Sequence, residues 1–404
     1  MSVLKILSNA GKAIFRGYLI LNMIVTLTLV ILVLILLIGE SIIINKSVRN
    51  IKIKIHVNGT RGKSTVTKYI SAGLREVNSK VIGKVTGEIP ALLLPDDTTK
   101  NIKRKGSARV QEQFNIIRKA GKNKVDALVL ECMSIDPALQ KLESAFLKPD
   151  IYIITNIRDD HREKMGNTQD SHIKSICSAI PDNSKIIACE SSYMNIIKDE
   201  TLAKKSTFIQ AFNLHDPEKE KIPGTIHESN VKLALTACVE AGISRDYAFN
   251  GILKSIAKSE SPLCSIPNCK HKRFFLNAFS VNDTRSASDF LRFWTKKLSI
   301  SNKIAVVFNT RSDRPIRTDL FTEWIKSNHA KIALVILIGD HKKRANRKLT
   351  AMNLNIQIKS LRINSRTRIK ETIMKNAGDA GLIVGIGNIK GLGYKIVNEF
   401  SKAS

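Results

Sequence analysis

The sequence has few acidic and few aromatic residues for its length. Over 404 residues, 35 Asp and Glu stand against 65 Lys and Arg, which gives a formal net charge of +30. Aromatic residues make up 5% of the chain, and no basic run is interleaved with them as stacking on single-stranded nucleic acid requires. We therefore expect no nucleic-acid partner. The positive charge is explained by a generally basic surface, by binding to anionic lipid or by a polyanionic substrate.

Cysteines are also scarce, and the six that are present form no paired framework. Most lie inside apolar segments, where a free thiol behaves as a small hydrophobic side chain. The stretch CSIPNCKH brings Cys264, Cys269 and His271 together in sequence, but no second pair follows to complete a zinc site. The pattern predicts reduced thiols in a cytoplasmic compartment.

One long hydrophobic run lies near the N-terminus, from Tyr18 to Gly39, after an N-terminal segment 1–17. As a helix its 22 uncharged residues reach about 33 Å, enough for a hydrocarbon core of ~30 Å. The run is too long for a signal peptide and no small-x-small cleavage site follows it. We expect a single-pass anchor in the cell (inner or cytoplasmic) membrane. Positive charges flank both ends and do not fix its orientation.

Strand-like and helix-like segments alternate after the anchor, which predicts an α/β fold with parallel sheets. The length exceeds one ordinary core, so we expect a central domain over 40–258, a linker over 259–272 and a smaller C-terminal domain over 273–404. The linker is placed where prolines and small residues interrupt the periodicity. Gly385, Gly387 and Gly391 lie at the last strand without the acidic residue of a dinucleotide site, and they indicate a tight strand-to-helix turn.

The stretch NGTRGKST joins a strand-like run to a helix-like one and has the features of a phosphate loop. Gly59 and Gly62 allow the backbone to approach phosphate, Lys63 supplies a point charge, and a helix N-terminus follows. The hydroxyl of Ser64 suits Mg²⁺. Where the common P-loop pattern has its first glycine this chain has Val57. The predicted nucleotide loop comprises Gly59, Thr60, Arg61, Gly62, Lys63, Ser64 and Thr65.

Polar groups also end the next two strands. Glu131 ends one of them in ECMS, and TNIRDDHREKMG follows the other, with Asn156, Asp159, Asp160, His161 and Glu163. Any one of these side chains is explained as a solvated loop residue. Because ligands gather at the carboxyl ends of parallel strands, three such ends together predict a metal–nucleotide site.

In this order and spacing, NGTRGKST, ECMS, TNIRDDHREKMG and NVKLAL resemble the Mur ligase superfamily of ATP-dependent amide-forming ligases. The chain resembles in particular its poly-γ-glutamate synthase ligase subunits of capsule synthesis (CapB/PgsB type), which also begin with one transmembrane helix. NTRSDRPIRTD and GIGNIKG have counterparts in that type. The resemblance implies a Mur-ligase-like ATPase domain followed by a Rossmann-like C-terminal domain.

The resemblance also implies roles for individual residues. Lys63 would hold the β- and γ-phosphates of ATP, Ser64 and Glu131 would bind one Mg²⁺, and His161 would bind a second; Lys63, Glu131 and His161 would thus be the catalytic set. Asn230 matches an asparagine near the adenine. The C-terminal domain would close over the site and hold the glutamate chain through Arg311, Asp313, Arg314 and Arg317.

The chain departs from the family at three points. Leu233 replaces a second asparagine, and the linker stretch SPLCSIP lacks an arginine found there in relatives. Ile176 stands where many Mur ligases carry a carbamylated lysine, and we expect the nearby Lys174 to be a surface residue.

Together these features predict an enzyme that uses ATP and Mg²⁺ to convert a carboxylate into an acyl phosphate, which an amine then attacks. The expected substrate is glutamate or poly-γ-glutamate, and the expected partners are other membrane subunits of a capsule synthase. If the loop uses ATP, both catalytic domains are cytoplasmic. A homo-oligomer is compatible with the sequence. The alternatives are a Mur-type ligase for another acidic acceptor, a nucleotide-driven export component, and a non-catalytic assembly subunit.

Overall fold

The computed structural model describes residues 2–78, 80–87, 89–104, 106, 108–158, 165–166, 168–223, 226–258, 262–267, 271–281, 283–300, 302–363 and 368–401, with side chains from Gly17 onward. These residues form two compact units. The first comprises Met1–Lys221 and Glu228–Ile256, and the second comprises Ile222–His227 and Ala257–Ser404.

The first unit is built on one mixed sheet. Its strands are β1 (Ile53–Asn58), β2 (Val81–Val85), β3 (Ala91–Leu93), β4 (Thr99–Asn101), β5 (Ala127–Glu131), β6 (Ile151–Ile154), β7 (Lys185–Ala188) and β8 (Thr207–Gln210). They lie in the order β4-β3-β2-β5-β1-β6-β7-β8. All neighbours from β2 to β8 pair in parallel, and β3 and β4 add an antiparallel edge. Every residue of β5 and β6 is buried, as their continuous apolar sequences predicted.

Helices connect and cover these strands. They are α1 (Ser2–Arg49), α2 (Lys63–Arg75), α3 (Gln111–Lys122), α4 (Pro137–Leu147), α5 (Gln169–Cys177), α6 (Met194–Ala203), α7 (Asp216–Lys221), α8 (Glu228–Glu240) and α9 (Arg245–Lys258). Glycines set how closely some of them pack. A Cβ on Gly73 of α2 would lie 2.7 Å from Cys238 Sγ of α8, and one on Gly251 of α9 would lie 2.5 Å from the carbonyl oxygen of Ala72.

Helix α1 is longer than the predicted anchor. Gly17–Arg49 is long and apolar enough to cross a membrane, and the apolar side chains of the predicted span are exposed. The last turns are different, because Ile44 and Val48 are buried in a core cluster with Ile117 of α3. A Cβ on Gly121 would lie 2.3 Å from the carbonyl oxygen of Ser47, so α3 contacts the end of α1 at a glycine. The candidate span is therefore continuous with a helix that is packed into the first unit.

The second unit has a six-stranded sheet. Its strands are β9 (Leu263–Ile266), β10 (Arg273–Asn277), β11 (Ile304–Thr310), β12 (Ile332–Gly339), β13 (Gln357–Ser360) and β14 (Leu382–Gly387), in the order β13-β12-β11-β14-β10-β9. The first five in that order are parallel, and β9 pairs antiparallel with β10. The connecting helices are α10 (Thr284–Lys297), α11 (Pro315–Ser327), α12 (Lys342–Ala351), α13 (Ile369–Ala377) and α14 (Leu392–Ser401).

Two apolar clusters fill the second unit. One contains Phe308, Phe321 and Trp324, and the other contains Phe275, Phe279 and Phe400. The predicted α/β class is confirmed in both units. The segment expected to be a linker, 259–272, contains β9, because its alternating residues Cys264 and Ile266 are buried against the second sheet. The predicted tight turn after β14 is present, and Gly387 there has φ 91°.

Candidate functional site

The loop between β1 and α2 has a backbone that only glycine permits at two positions. Gly59 has φ 123° and Gly62 has φ 82°, both in the region that disfavours a side chain. A Cβ on Gly59 would lie 2.2 Å from Thr155 Oγ1, and one on Gly62 would lie 2.6 Å from Asn230 Oδ1. Gly62 is also the N-cap of α2, so the free N–H groups of that helix begin at the loop. The loop has the backbone geometry that a phosphate group requires.

Asn156, which follows β6, holds this loop in place. Its side-chain oxygen accepts hydrogen bonds from Thr60 Oγ1 at 2.7 Å and from the Arg61 amide at 3.1 Å. Its side-chain nitrogen donates to the Arg61 carbonyl oxygen at 3.0 Å, to which Thr155 Oγ1 also donates at 2.6 Å. Asn156 was expected to be a site residue, and the structure places it as the support of the loop.

Ser64 and Glu131 meet at the ends of the neighbouring elements α2 and β5. Ser64 Oγ donates to Glu131 Oε2 at 2.7 Å, and the Thr86 amide donates to the same oxygen at 2.6 Å. Glu131 is 3% exposed. Lys63, one residue before Ser64, donates from Nζ to the Gly59 carbonyl oxygen at 2.7 Å, so its ammonium lies within the loop.

A hydroxyl and a carboxylate side by side are oxygen ligands of the kind that Mg²⁺ and Mn²⁺ prefer. The residues present therefore fit a hard divalent cation beside the phosphate loop. The second predicted metal ligand, His161, and its neighbours Asp159, Asp160 and Glu163 lie outside the described residues, as does Cys269. Asn230, on α8, is 7% exposed and lies against Gly62, so it borders the loop.

A group of buried and partly buried polar side chains beneath the strand end was not predicted. We call His56, Gln113, Ser134 and Glu143 the Glu143 cluster. Glu143 accepts hydrogen bonds from the amides of Met133 and Ser134 at 3.0 and 2.9 Å, from Ser134 Oγ, and from Gln113 Nε2 at 2.9 Å. His56 Nε2 lies 3.8 Å from Glu143 Oε2.

The Glu143 cluster fixes the turn that carries Glu131. Gln113 Nε2 also donates to the backbone oxygen of Glu131 at 3.0 Å, and Glu143 binds the two amides that follow Cys132. Burial raises the pKa of the Glu143 carboxyl, but His56 and the hydrogen bonds from Ser134 and Gln113 outweigh it and lower the pKa to about 2. The carboxylate is therefore ionised at neutral pH and orders the turn.

Lys84 continues this polar interior toward the outer strands. Its side chain is fully buried and donates to Gln113 Oε1 at 2.8 Å and to Glu112 at 2.7 Å. Glu112 also pairs with Arg104 at 2.7 Å. Burial lowers the pKa of Lys84, and the hydrogen bond and charge of Glu112 oppose that effect. The buried ammonium of Lys84 thus has an acidic partner, as a folded interior requires.

The Glu143 cluster is evident in the burial pattern of α4. The buried face of α4 consists of Gln140, Glu143, Ser144 and Leu147, so three of its four positions are polar. Polar residues at helical spacing on a buried face indicate an internal hydrogen-bond network. Gln140 contributes as well, because it accepts a hydrogen bond from Asn58 Nδ2 at 2.9 Å.

The arginine motif of the second unit is only partly available to a ligand. Arg311 pairs with Asp313 at 2.6 Å. Arg317 donates to the carbonyl oxygens of Phe279 and Val281 at 3.0 and 3.1 Å, which ties α11 to the end of β10. Arg314 is exposed at the N-cap of α11. Of the four predicted substrate residues, Arg314 is therefore the one whose guanidinium faces solvent without an ion pair among the described residues.

Two family models match consecutive parts of the chain. Residues 57–244 match the Mur ligase middle domain, and residues 266–403 match the poly-gamma-glutamate synthase CapB C-terminal domain. The chain is 28% identical over 371 residues to the PGA synthase CapB of Bacillus subtilis (strain 168), which covers 88% of this chain and 91% of that protein. It is 29% identical over 304 residues to the capsule biosynthesis protein CapB of Bacillus anthracis, covering 73% of this chain and 65% of that protein.

Solved structures share the fold at low sequence identity. FolC of E. coli in complex with DHPP and ADP has a TM-score of 0.62 at 14% identity, covering 90% of this chain and 93% of that one. MurF from Acinetobacter baumannii has a TM-score of 0.58 at 13% identity, covering 89% and 79%. A bifunctional folylpolyglutamate synthase/dihydrofolate synthase with Mn, AMPPNP and L-glutamate bound has a TM-score of 0.60 at 14% identity, covering 89% and 93%. These structures show the fold, and the family models and the two CapB relatives confirm the resemblance read from the motifs.

Proposed function

Because the chain belongs to the Mur ligase superfamily and is an ATP-dependent amide ligase with a CapB-type C-terminal domain, we propose that it adds glutamate to a growing poly-γ-glutamate chain. The observation that carries the proposal is the contact of Ser64 with Glu131 at 2.7 Å beside the Gly59–Gly62 loop. This contact supports a cation site of Ser64 and Glu131 beside a phosphate loop, which the activation of a carboxylate by ATP requires.

The residues of the loop account for the first half-reaction. A carboxylate oxygen of the poly-γ-glutamate substrate attacks the γ-phosphorus of ATP, the bond between that phosphorus and the bridging oxygen breaks, and ADP leaves. Lys63 and the N–H groups at the start of α2 neutralise the charge that builds up on the phosphate oxygens. Ser64 and Glu131 would hold the divalent cation, which we take to be Mg²⁺ and which supplies further charge neutralisation when bound. His161 is proposed as a ligand of a second ion.

The second half-reaction forms the amide. The amine of glutamate attacks the acyl carbon of the acyl phosphate, phosphate leaves, and the nitrogen loses a proton. Asn230, at the edge of the loop, is proposed to lie near the adenine. A polymer with one negative charge per residue suits a protein of net charge +30. The exposed apolar helix would hold the catalytic units on the cytoplasmic side of the cell membrane, beside other subunits of a capsule synthase.

Product analysis with one pair of variants tests the proposal. Full-length protein in nanodiscs is supplied with ATP, Mg²⁺ and glutamate, and the products are examined by mass spectrometry. We expect a ladder of glutamate oligomers, its loss in Lys63→Ala with a folding free energy unchanged within ~0.5 kcal/mol, and its retention in Lys68→Ala. Lys68 is an exposed lysine of the same helix and is the matched control.

Three outcomes would contradict the proposal in different ways. ATP hydrolysis that ignores glutamate would indicate a nucleotide-driven export component. Amide formation only with a different acidic acceptor would indicate another Mur-type specificity. A normal ladder from folded Lys63→Ala would remove the phosphate-loop assignment.

A further inference from the structure

The second unit holds most of the positive charge of the protein. Residues 257–404 contain 28 Lys and Arg against 10 Asp and Glu, a net charge of +18 out of the +30 of the whole chain. A charged surface is usually a solvated one, so the excess by itself assigns no ligand. The placement of the unpaired cations along the sheet is more informative.

Each of the five parallel strands of this unit is followed by at least one exposed basic side chain that has no ion pair among the described residues. These residues lie in the loop after the strand or in the first turn of the next helix. We call them the carboxyl-edge row: in sheet order they are Arg362 after β13, Lys343 after β12, Arg314 after β11, Lys390 after β14 and Arg285 after β10.

Members of the row are free of the contacts that occupy their neighbours. Within the described part of the chain none of the five forms an ion pair, whereas adjacent cations do have partners. Arg344 and Lys348 both pair with Asp319 at 2.7 Å, and Lys342 donates to the Leu361 carbonyl oxygen at 2.6 Å. The row therefore contains cations at this edge that folding leaves available to an external anion.

Fewer acidic side chains than row members lie at these strand ends. Asp283 caps α10 by accepting from the Ser286 amide at 2.8 Å, and Asp313 is paired with Arg311. Asp340 is the remaining carboxylate at the strand ends. The N-termini of α10 to α14 lie at the same edge as the row and add positive potential there. Their C-termini lie at the opposite edge and make the potential at that edge less positive.

The length of the row corresponds to a few residues of a γ-linked polymer of glutamate. Neighbouring strands lie about 4.8 Å apart, so five strands extend over roughly 19 Å. An α-linked chain reaches about 3.6 Å per residue over three backbone bonds, so a γ-linked residue with five bonds reaches about 6 Å. Roughly three successive glutamate residues, each with one free carboxylate, would span the edge.

We infer that the carboxyl-edge row is a binding track for several residues of poly-γ-glutamate, which keeps the polymer on the enzyme between additions. The inference rests on the proposed function, because that function supplies the polymer. The track adds, to Arg314 of the predicted arginine motif, four basic residues that follow the other parallel strands. A track of exposed ion pairs binds through many weak contacts, so that affinity rises with polymer length and falls with salt.

A matched pair of triple variants tests the track. Lys343→Ala/Arg362→Ala/Lys390→Ala removes three row members. Lys303→Ala/Lys331→Ala/Lys375→Ala removes three exposed lysines at the opposite edge, before β11, before β12 and in the last turn of α13. The two variants have equal net charge, so they separate position from overall charge.

The measurement is the Kd of full-length protein in nanodiscs for labelled γ-linked glutamate oligomers, one short and one longer than the edge. Each exposed pair is worth roughly 1.4- to 5-fold in affinity, so the row variant should bind the long oligomer about tenfold more weakly. Its affinity for the short oligomer should change little, and its products should be shorter. The opposite-edge variant should behave like wild type.

The outcomes separate this inference from the proposed function. Equal losses in both triple variants, or a row variant with unchanged long-oligomer affinity and product length, would overturn the track while ligation persisted. Row-dependent binding that is stronger for anionic vesicles or nucleic acid than for polyglutamate would also overturn it. A protein that binds the long oligomer through the row but joins no glutamate would instead contradict the proposed function.

Discussion

Glu143→Gln removes a buried charge from beneath the turn that carries Glu131, and its cost follows from the contacts. One carboxylate oxygen accepts from the Ser134 amide and hydroxyl, and the other accepts from Gln113 and the Met133 amide. In the glutamine variant, an NH₂ group replaces one of these two oxygens. Whichever oxygen it replaces, the NH₂ group would face two hydrogen-bond donors, so two charge-assisted bonds are lost. At ~1.5–3 kcal/mol each, the loss is at least about 3 kcal/mol.

The pKa of Glu143 gives a similar magnitude by a different route. It is lowered from 4.5 to about 2 in the folded protein, and each unit corresponds to about 1.4 kcal/mol, so ionisation contributes about 3 kcal/mol. Because the folded pKa is the lower one, this stability is complete above the unfolded pKa and is lost as the pH falls toward 2. At pH 4 the contribution should be about 0.8 kcal/mol smaller than at pH 7.

The assay uses the placement of the two tryptophans. Trp294 and Trp324 are both in the second unit, so circular dichroism reports both units while tryptophan fluorescence reports the second alone. Urea unfolding should show a loss of about 3 kcal/mol in the first unit and an unchanged fluorescence midpoint. Hydrogen exchange at the Met133 and Ser134 amides should accelerate, because their acceptor is weakened.

An exposed glutamate provides the control for this substitution. Glu220→Gln, at an exposed position of α7, should change stability by less than ~0.5 kcal/mol. The reasoning would be refuted if Glu143→Gln behaved like this control. It would also be refuted if the difference between wild type and Glu143→Gln grew as the pH fell from 7 to 4.

Two further predictions concern residues of the predicted site. Glu131→Ala and His161→Ala should each raise the Mg²⁺ concentration needed for half-maximal ATP use, because each removes a proposed oxygen or nitrogen ligand. An unaltered Mg²⁺ titration in both variants would return these residues to structural roles. Arg317→Ala should destabilise the second unit by about 1.5–3 kcal/mol, because its guanidinium donates to the carbonyl oxygens of Phe279 and Val281. The tryptophan fluorescence transition should then occur at a lower urea concentration. A specific rise in the KM for glutamate with unchanged stability would show that Arg317 binds substrate instead.

The sequence by itself determined the elements and the phosphate loop, because these depend on local chemistry. The apolar runs of β5 and β6 and the glycines at 59 and 62 specify strand, turn and backbone conformation within a few residues. The position of Glu131 at the end of a strand also predicted correctly that it lies beside the loop, since the carboxyl ends of parallel strands meet at one edge. The motifs together identified the ligase superfamily.

Only the tertiary structure decided which polar side chains form hydrogen bonds within the protein and are therefore not available to a ligand. Asn156 is turned toward the loop backbone, Arg317 is bound to carbonyl oxygens, and Glu143 accepts hydrogen bonds from the backbone of the turn after β5. The strand order that aligns Arg285 with Arg362 across one edge depends on crossovers between distant segments. Hydrogen-bond partners and sheet order are set by long-range packing, and residue spacing along the chain carries no direct record of them.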